Sequence, residues 1–262
     1  MKEEKIYYYS DEVNDDFAGT HVVRDKLPED YEYHHRGFWQ KLRRGVLYYC
    51  IVRPLTWVYN VGVKHVKYVN KKAFKGYKKQ GCFIYGNHTS MVIDAFNPSY
   101  LAYPRPADII INPDALYIKG IGWLIKTLGG LPIAESYTGM KKFNAIIAEY
   151  IQKKHWIAIY PEAHIWHYYT KIRNFPAVSF GYPVKLKTPV FSYTMVYKKR
   201  KHRKYPKRIV YIDGPFFADE TLPYKQAVQK LRDEVYAAMS KRAEESDCEY
   251  IKYVYRPKEE EI

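Results

Sequence analysis

The residues best suited to do chemistry lie in two short segments, each of which follows an apolar run typical of a buried strand. His88 comes just after the run Cys82–Gly86, and Asp94 stands six positions further on. A carboxylate that binds one imidazole nitrogen fixes the tautomer, so the other nitrogen can take a proton from a hydroxyl. Glu162 follows a second apolar run and a proline. The pattern indicates a His–Asp general base, although on these residues alone a structural His88 and a helix-capping Glu162 remain open alternatives.

Strands that alternate with helices must position these segments. We predict strands over residues 82–86, 108–112, 156–160, 190–197 and 208–212, and helices over 89–102 with a break at Pro98, 120–128, 141–153 and 223–243. Strands separated by helices of ten or more residues predict an α/β fold with a mixed, mostly parallel sheet flanked by helices. In such a sheet, side chains at the carboxyl ends of the strands face the usual ligand crevice.

Charge is distributed unevenly along the chain. The net charge is +15, yet residues 1–32 carry four basic and ten acidic side chains, whereas residues 33–93 carry twelve basic side chains and no acidic one. Such a one-signed field favours an anionic partner: a phospholipid surface, a nucleic acid or a phosphorylated substrate. A nucleic-acid-binding protein is the main rival interpretation. We expect no nucleic acid, because the sequence lacks an RNP-like strand, zinc-ligand spacing and a Gly-x-x-Gly clamp.

The cysteine content and the amino terminus suggest a cellular compartment. Three cysteines are too few and too scattered for a disulfide framework or a zinc cluster, so we expect an intracellular protein. The histidines also lack metal-ligand spacing, and we expect no metal. No apolar run follows the charged amino terminus, which argues against a secretory signal.

The chain divides into three regions by composition. Residues 1–35 form an acidic, tyrosine-rich arm, residues 36–75 are basic and amphipathic, and residues 76–262 carry the α/β pattern. We expect the arm to be extended, and its negative charge could fold back onto the basic segment that follows.

The basic segment has two apolar stretches on either side of Arg53 and Pro54. Neither stretch reaches the ~20 apolar residues that span a bilayer. Aromatic side chains within them and basic residues at both ends are typical of helices that lie in a membrane interface. Two interpretations stay open: a pair of interfacial helices, or a helical hairpin packed on the core of the domain.

Four sequence blocks in a fixed order carry a resemblance to a known family. They are His88 with Asp94, the glycine-led segment 129–134, Tyr160-Pro161-Glu162, and Lys187-Thr188-Pro189-Val190. Together they resemble the glycerolipid acyltransferase superfamily over roughly residues 80–215, and within it the 1-acylglycerol-3-phosphate (lysophosphatidic acid) acyltransferase type.

The resemblance implies an activity and a set of site residues. The implied reaction moves a fatty acyl group from acyl-CoA or acyl carrier protein to the hydroxyl of a lysophospholipid, without a cofactor, at the cytoplasmic face of an anionic phospholipid membrane to which the protein is peripheral or monotopic. It implies His88 and Asp94 as catalytic residues. The candidate substrate-binding residues are Asn87, Ser90, Gly129, Gly130, Glu162, His164, Lys171 and Arg173.

Three departures from the family pattern put parts of this interpretation in question. Five residues separate His88 from Asp94 where the family has four, and one extra residue rotates a helical side chain by about 100°. Either the helix start contains a bulge, or Asp94 is not the partner. Two arginines that bind phosphate in the family are replaced by Glu135-Ser136 and by Ala163-His164-Ile165. Lys119, Lys171, Arg173 or His164 could substitute for them; otherwise the acceptor is a sugar or another lysolipid, or the chain is a catalytically silent lipid-binding module.

Overall fold

The structure, a computed structural model, describes residues 5–19, 26–33 and 37–257. Its nine strands are β1 (Lys5–Tyr9), β2 (Lys67–Val69), β3 (Cys82–Gly86), β4 (Ala107–Ile111), β5 (Gly130–Pro132), β6 (Trp156–Ile159), β7 (Val190–Lys198), β8 (Lys207–Phe216) and β9 (Ile251–Tyr255). Helix α1 covers residues 38–63, and the others are α2 (Met91–Ala102), α3 (Gly122–Thr127), α4 (Tyr137–Gln152), α5 (Gly181–Leu186) and α6 (Tyr224–Ala243).

Seven of the strands form one sheet in the order β2-β8-β7-β3-β6-β4-β5. Every neighbouring pair is parallel except β7 and β8, which are antiparallel. The prediction of an α/β fold with a mixed, mostly parallel sheet is therefore confirmed. The central strands β3 and β6 are buried along their whole length, because both faces of the sheet carry helices and each strand is an unbroken apolar run.

The two faces of the sheet form two separate cores. Phe83 and Tyr85 point into a core shared with α4 and α6, whereas Cys82 and Ile84 point into one shared with α2. This alternation follows from the two-residue repeat of a strand. His88 and Glu162 thus follow two strands that are buried along their whole length.

Helix α2 continues through Pro98, so the predicted break at this residue is wrong. A proline lacks the N–H that would donate to the carbonyl four residues earlier, which here is that of Asp94. The hydroxyl group of Tyr160 donates to this carbonyl instead. A side chain from the end of β6 therefore supplies the hydrogen bond that proline removes.

The prediction of two helices separated at Arg53-Pro54 is also wrong. Four contiguous segments, Phe38–Val46, Leu47–Val52, Arg53–Trp57 and Val58–Val63, make one helix, with right-handed helical dihedral angles at every junction. The segment just before Pro54 has π-type hydrogen bonding, and its wider turn accommodates the proline within the continuous helix.

Helix α1 packs one side on the domain and exposes apolar residues on the other. Tyr48, Thr56 and Asn60 are buried, and Tyr59 contacts Phe96 of α2 edge to face at 5.5 Å between ring centroids. Its exposed apolar residues are Phe38, Trp39, Leu42, Val46, Tyr49, Ile51, Leu55, Trp57, Val58 and Val63. Within the described residues, no helix is both long and apolar enough to cross a membrane.

The amino-terminal arm lies elsewhere than predicted. Strand β1 pairs in parallel with β9. Further along the arm, the Phe17 N–H donates to the Ile165 carbonyl at 3.2 Å and the Trp166 indole N–H donates to the Asp15 carbonyl at 2.8 Å. Residues 5–17 of the arm therefore rest on β9 and on the loop that follows β6, because aromatic packing and backbone hydrogen bonds outweigh a diffuse charge attraction to the basic segment. Towards the end of the arm, the Leu27 N–H donates to Glu135 and the Tyr33 hydroxyl donates to the Pro132 carbonyl.

Candidate active site

His88 and Asp94 are in direct contact. His88 lies in the loop between β3 and α2, and its Nδ1 is 2.9 Å from Oδ2 of Asp94. The N–H groups of Thr89 and Ser90 donate to the same oxygen at 2.9 and 2.8 Å. Asp94 is fully buried in the first turn of α2. One carboxylate oxygen thus contacts the imidazole and accepts two hydrogen bonds from the backbone of the loop.

The unusual five-residue spacing is accommodated by this loop. Helix α2 begins at Met91 and its N-cap, Ser90, has an extended backbone. Since His88 precedes the helix, the rotation of about 100° per helical residue does not apply to it. The contact between His88 and Asp94 needs no bulge in the helix.

This contact leaves one imidazole nitrogen for proton transfer. Because Asp94 binds Nδ1, the nitrogen available to an incoming hydroxyl is Nε2. The side chain of His88 is 17% exposed, whereas that of Asp94 is 1% exposed. A buried carboxylate behind a partly accessible imidazole is the arrangement of a general base with its orienting group.

Tyr160 and Tyr193 complete the surroundings of His88. From the sequence, Tyr160 is named only as part of the third block, and neither residue is given a function. The Tyr160 ring stacks on the His88 imidazole, with 4.4 Å between centroids and 19° between planes. Its hydroxyl group donates to the Asp94 carbonyl and accepts from the hydroxyl of Tyr193. Burial raises the pKa of both phenols well above the ordinary value, so both remain donors. The signal in the sequence was Pro98, which leaves the Asp94 carbonyl in need of a donor.

Glu162 binds the backbone of the loop that carries His88. Its Oε2 accepts the His88 N–H at 2.9 Å, and its Oε1 accepts the Arg173 N–H at 3.0 Å. The Arg173 guanidinium lies 3.5 Å from the same carboxylate. Burial raises the pKa of Glu162, and Arg173 and the two N–H groups act against that rise. Of the two functions considered for Glu162, contact with the acceptor or positioning of the loop, these contacts match positioning.

Asn87 and Arg173 are likewise engaged within the protein. The Asn87 amide accepts the Met195 N–H at 2.7 Å and donates to the Met195 carbonyl at 3.0 Å, which ties the loop to β7. Arg173 is buried, lies 4.9 Å above the Trp166 ring and donates to the His164 carbonyl. Their side chains have structural partners, so neither is presented to a substrate in this arrangement.

Of the remaining candidates, Ser90 donates its N–H to Asp94 and His164 follows Glu162 in the loop after β6, where Lys171 is exposed further along. Gly129 and Gly130 lie elsewhere in the sheet. Gly130 is in register with Ile109 of β4, and three strand spacings, about 14 Å, separate β5 from β3. Gly129 has a φ of 107°, and a Cβ there would lie 2.5 Å from Oδ1 of Asp108. The two glycines therefore serve the turn into β5 beside Asp108. A substrate contact by Ser90, His164 or Lys171 stays a prediction.

Comparison with known proteins assigns this architecture to a family. A family model described as "Acyltransferase" matches residues 63–196, slightly more than half of the chain. The chain belongs to the acyltransferase family. The crystal structure of the 1-acyl-sn-glycerophosphate (LPA) acyltransferase, PlsC, from Thermotoga maritima has the same fold, with a TM-score of 0.56 and 15% identity, over 80% of this chain and 85% of that chain. No curated protein matches the sequence.

The matched segment of this acyltransferase contains the groups that surround His88. Asp94, Tyr160, Glu162 and Tyr193 all fall within it, as does Arg173. At the third block, Ala163 has a φ of 63°, which lies in the left-handed region that favours glycine.

Proposed function

We propose that this acyltransferase transfers a fatty acyl group from an acyl thioester, acyl-CoA or acyl carrier protein, to the free hydroxyl of a lysophospholipid such as 1-acylglycerol-3-phosphate. The observation that carries the proposal is the contact between His88 Nδ1 and Asp94 Oδ2 in a chain of the acyltransferase family. An imidazole oriented by a buried carboxylate is suited to activating a hydroxyl.

The proposed reaction is a single acyl transfer. Nε2 of His88 takes the proton from the acceptor hydroxyl, and the hydroxyl oxygen attacks the thioester carbonyl carbon. The tetrahedral intermediate then expels the thiolate, which takes the proton back from the imidazolium. Asp94 stabilises the imidazolium in between, as a carboxylate does beside a catalytic histidine. The products are an ester and a free thiol.

The oxyanion of the intermediate needs hydrogen-bond donors. The N–H groups of Thr89 and Ser90 are engaged by Asp94, and Gly129 and Gly130 lie three strands away. We therefore expect the donors among the N–H groups of the first turn of α2, which begins at Met91.

A second candidate for the acceptor has specific support. Arg173 is bound by Glu162 and lies over Trp166. Its guanidinium is therefore poorly placed to bind the phosphate of an acceptor. His164, His167 and the exposed Lys171 are basic residues of the loop after β6. Burial lowers the pKa of His167, and the charges of Asp94 and His88 also act on it. An acceptor without a phosphate monoester, either a sugar or another lysolipid, is the alternative.

We also propose that α1 docks the enzyme on the membrane that holds its lipid substrate. The support is the row of exposed aromatic and aliphatic side chains on α1, together with the basic residues of the same segment. An amphipathic helix of this composition binds anionic membranes from the surface.

Acyl transfer from a labelled acyl thioester to a panel of lysophospholipids, glycerol phosphate and sugars tests the reaction and the acceptor together. His88→Ala should abolish transfer and leave the protein folded, with a small loss of stability from the lost contact with Asp94. His202→Ala, which removes an exposed histidine far from α2 in sequence, is the matched control and should leave transfer unchanged. Full activity of His88→Ala would overturn the mechanism. Transfer by the wild type to a sugar alone would keep the chemistry and change the substrate.

A further inference from the structure

A second cluster of ionisable side chains surrounds Asp108, at the amino-terminal end of β4. Asp108 is fully buried. One of its oxygens is 2.5 Å from the Arg44 guanidinium and the other is 2.5 Å from Nδ1 of His155. Arg44 belongs to α1 and His155 directly precedes β6. Because the sheet is parallel here, this cluster lies at the end of β4 and β6 opposite to the loops that carry His88 and Glu162.

A cavity of about 250 Å³ opens beside this cluster, between α1, the end of α4 and the start of β6. Four of its lining residues are basic: Lys41, Arg44, Lys153 and His155. The nearby carboxylates are that of Asp108 and that of Glu149, which pairs with Lys153 at 2.5 Å. The volume equals that of about eight water molecules in the liquid, which is sufficient for a phosphate group.

The buried Asp108 carboxylate fixes basic side chains that line the cavity, where they can bind an anion. Arg44 and His155 are both held by this carboxylate at the wall of the cavity. The hydroxyl of Tyr48 accepts the Ala107 N–H at 2.8 Å, which leaves its own proton to donate. Fixed donors of this kind bind phosphate oxygens with little loss of conformational freedom.

The exposed apolar side of α1 continues from the rim of this cavity. Leu42 and Val46 alternate along the helix with the lining residues Lys41, Arg44 and Tyr48, and both are more than two fifths exposed. Tyr49 lines the cavity and is exposed to the same extent. An anionic group in the cavity would therefore be adjacent to an apolar surface. This combination fits a molecule with a charged head and an apolar tail.

We propose that the cavity bounded by Lys41, Arg44, Lys153 and His155 binds the phosphate of an anionic phospholipid, whose acyl chains lie along the exposed side of α1. The site is separate from the His88 site and holds a lipid that is not consumed. It rests on the proposed docking of α1 on a membrane and is independent of acyl transfer. Its function is to fix the depth and orientation of the enzyme on the bilayer.

Vesicle binding tests the proposal without any acyl donor. The protein is co-sedimented with vesicles of phosphatidylcholine alone and of phosphatidylcholine mixed with phosphatidylglycerol. The variant Lys41→Ala/Lys153→Ala changes two solvent-accessible side chains, so it should fold. Its affinity for the mixed vesicles should fall about thirtyfold, from about 1 kcal/mol for each basic side chain.

A matched variant distinguishes binding in the cavity from nonspecific attraction of a basic surface to anionic lipid. Arg43→Ala/Lys67→Ala removes two exposed charges from the same basic segment outside the cavity, and its affinity should fall by less than about threefold if the cavity dominates. Equal losses in the two double variants would overturn the proposal. A wild-type protein that binds no vesicle would overturn both this proposal and the docking of α1, whereas acyl transfer to soluble acceptors would be unaffected.

NMR signals of the His155 ring distinguish the phosphate of a lipid headgroup from inorganic phosphate. Dihexanoyl phosphatidylglycerol, added as a soluble lipid, should shift the ring signals saturably in the wild type and not in Lys41→Ala/Lys153→Ala. Inorganic phosphate at the same concentration should shift them much less. A stronger response to inorganic phosphate than to the lipid would identify a site for a free anion and overturn the lipid assignment.

Discussion

Replacement of Asp94 by asparagine removes the negative charge beside His88 and retains the shape of the side chain. In the transition state of the proposed reaction the imidazole is positively charged, and its Nδ1 lies 2.9 Å from the carboxylate. At an effective dielectric constant of about 20, the lost attraction amounts to about 6 kcal/mol, or about 10⁴-fold in kcat. The substitution also allows the wrong tautomer of His88, which acts in the same direction.

The variant should nevertheless fold. An asparagine oxygen can still accept the N–H groups of Thr89 and Ser90, although two charge-assisted hydrogen bonds become neutral ones. We expect a loss of about 2 kcal/mol in the free energy of unfolding, which a domain of ordinary stability tolerates. Urea unfolding of the variant measures this loss separately from the activity.

The assay is steady-state acyl transfer with Asp94→Asn, His88→Ala and the double variant. Because His88 and Asp94 act as one unit, the double variant should be no slower than His88→Ala. Asp213→Asn is the control, since Asp213 is also ion-paired, with Arg242 at 2.8 Å, but on β8. A rate for Asp94→Asn within about tenfold of the wild type would refute the reasoning, as would multiplicative losses in the double variant.

Three further predictions concern stability. Tyr160→Phe should lower the free energy of unfolding by about 1–3 kcal/mol in urea titrations, because the buried Asp94 carbonyl loses its donor; an unchanged midpoint would contradict this. Ala163→Gly should raise the unfolding free energy by about 1 kcal/mol, because φ is 63° at that residue, and a decrease would refute the strain. Burial lowers the pKa of Lys78 to about 8 from 10.5, so the folded chain binds fewer protons than the unfolded chain between these values and stability should rise with pH across that window. The rise should be smaller in Lys78→Met, and an identical pH dependence in both proteins would contradict it.

The local parts of the fold and site were predictable from the sequence, since they depend on near neighbours. The run Cys82–Gly86 is a buried strand, as its composition predicts, and the parallel sheet follows from the alternation of strands and helices. The pairing of His88 with Asp94 was predicted. The doubt about their five-residue spacing assumed helical geometry from His88 onward, whereas the helix begins only at Met91.

The parts that were missed depend on contacts between distant residues. Pro98 and Pro54 each signal a helix break, but a hydroxyl group from β6 serves the first and a π-type turn accommodates the second. Arg173 is a reasonable phosphate ligand by type, yet it is committed to Glu162 eleven residues away. No local pattern reveals such long-range partners.

The pairing of β1 with β9 has a consequence for biosynthesis. The Lys5–Ile251 register joins segments made 246 residues apart, so at about 5–20 residues per second β1 waits on the order of 10–50 s for its partner. Until then the aromatic residues of the arm, such as Tyr7 and Phe17, lack the Tyr253 ring against which they pack. The arm carries four acidic side chains between residues 11 and 16. Their negative charge opposes aggregation of this aromatic segment until translation is complete.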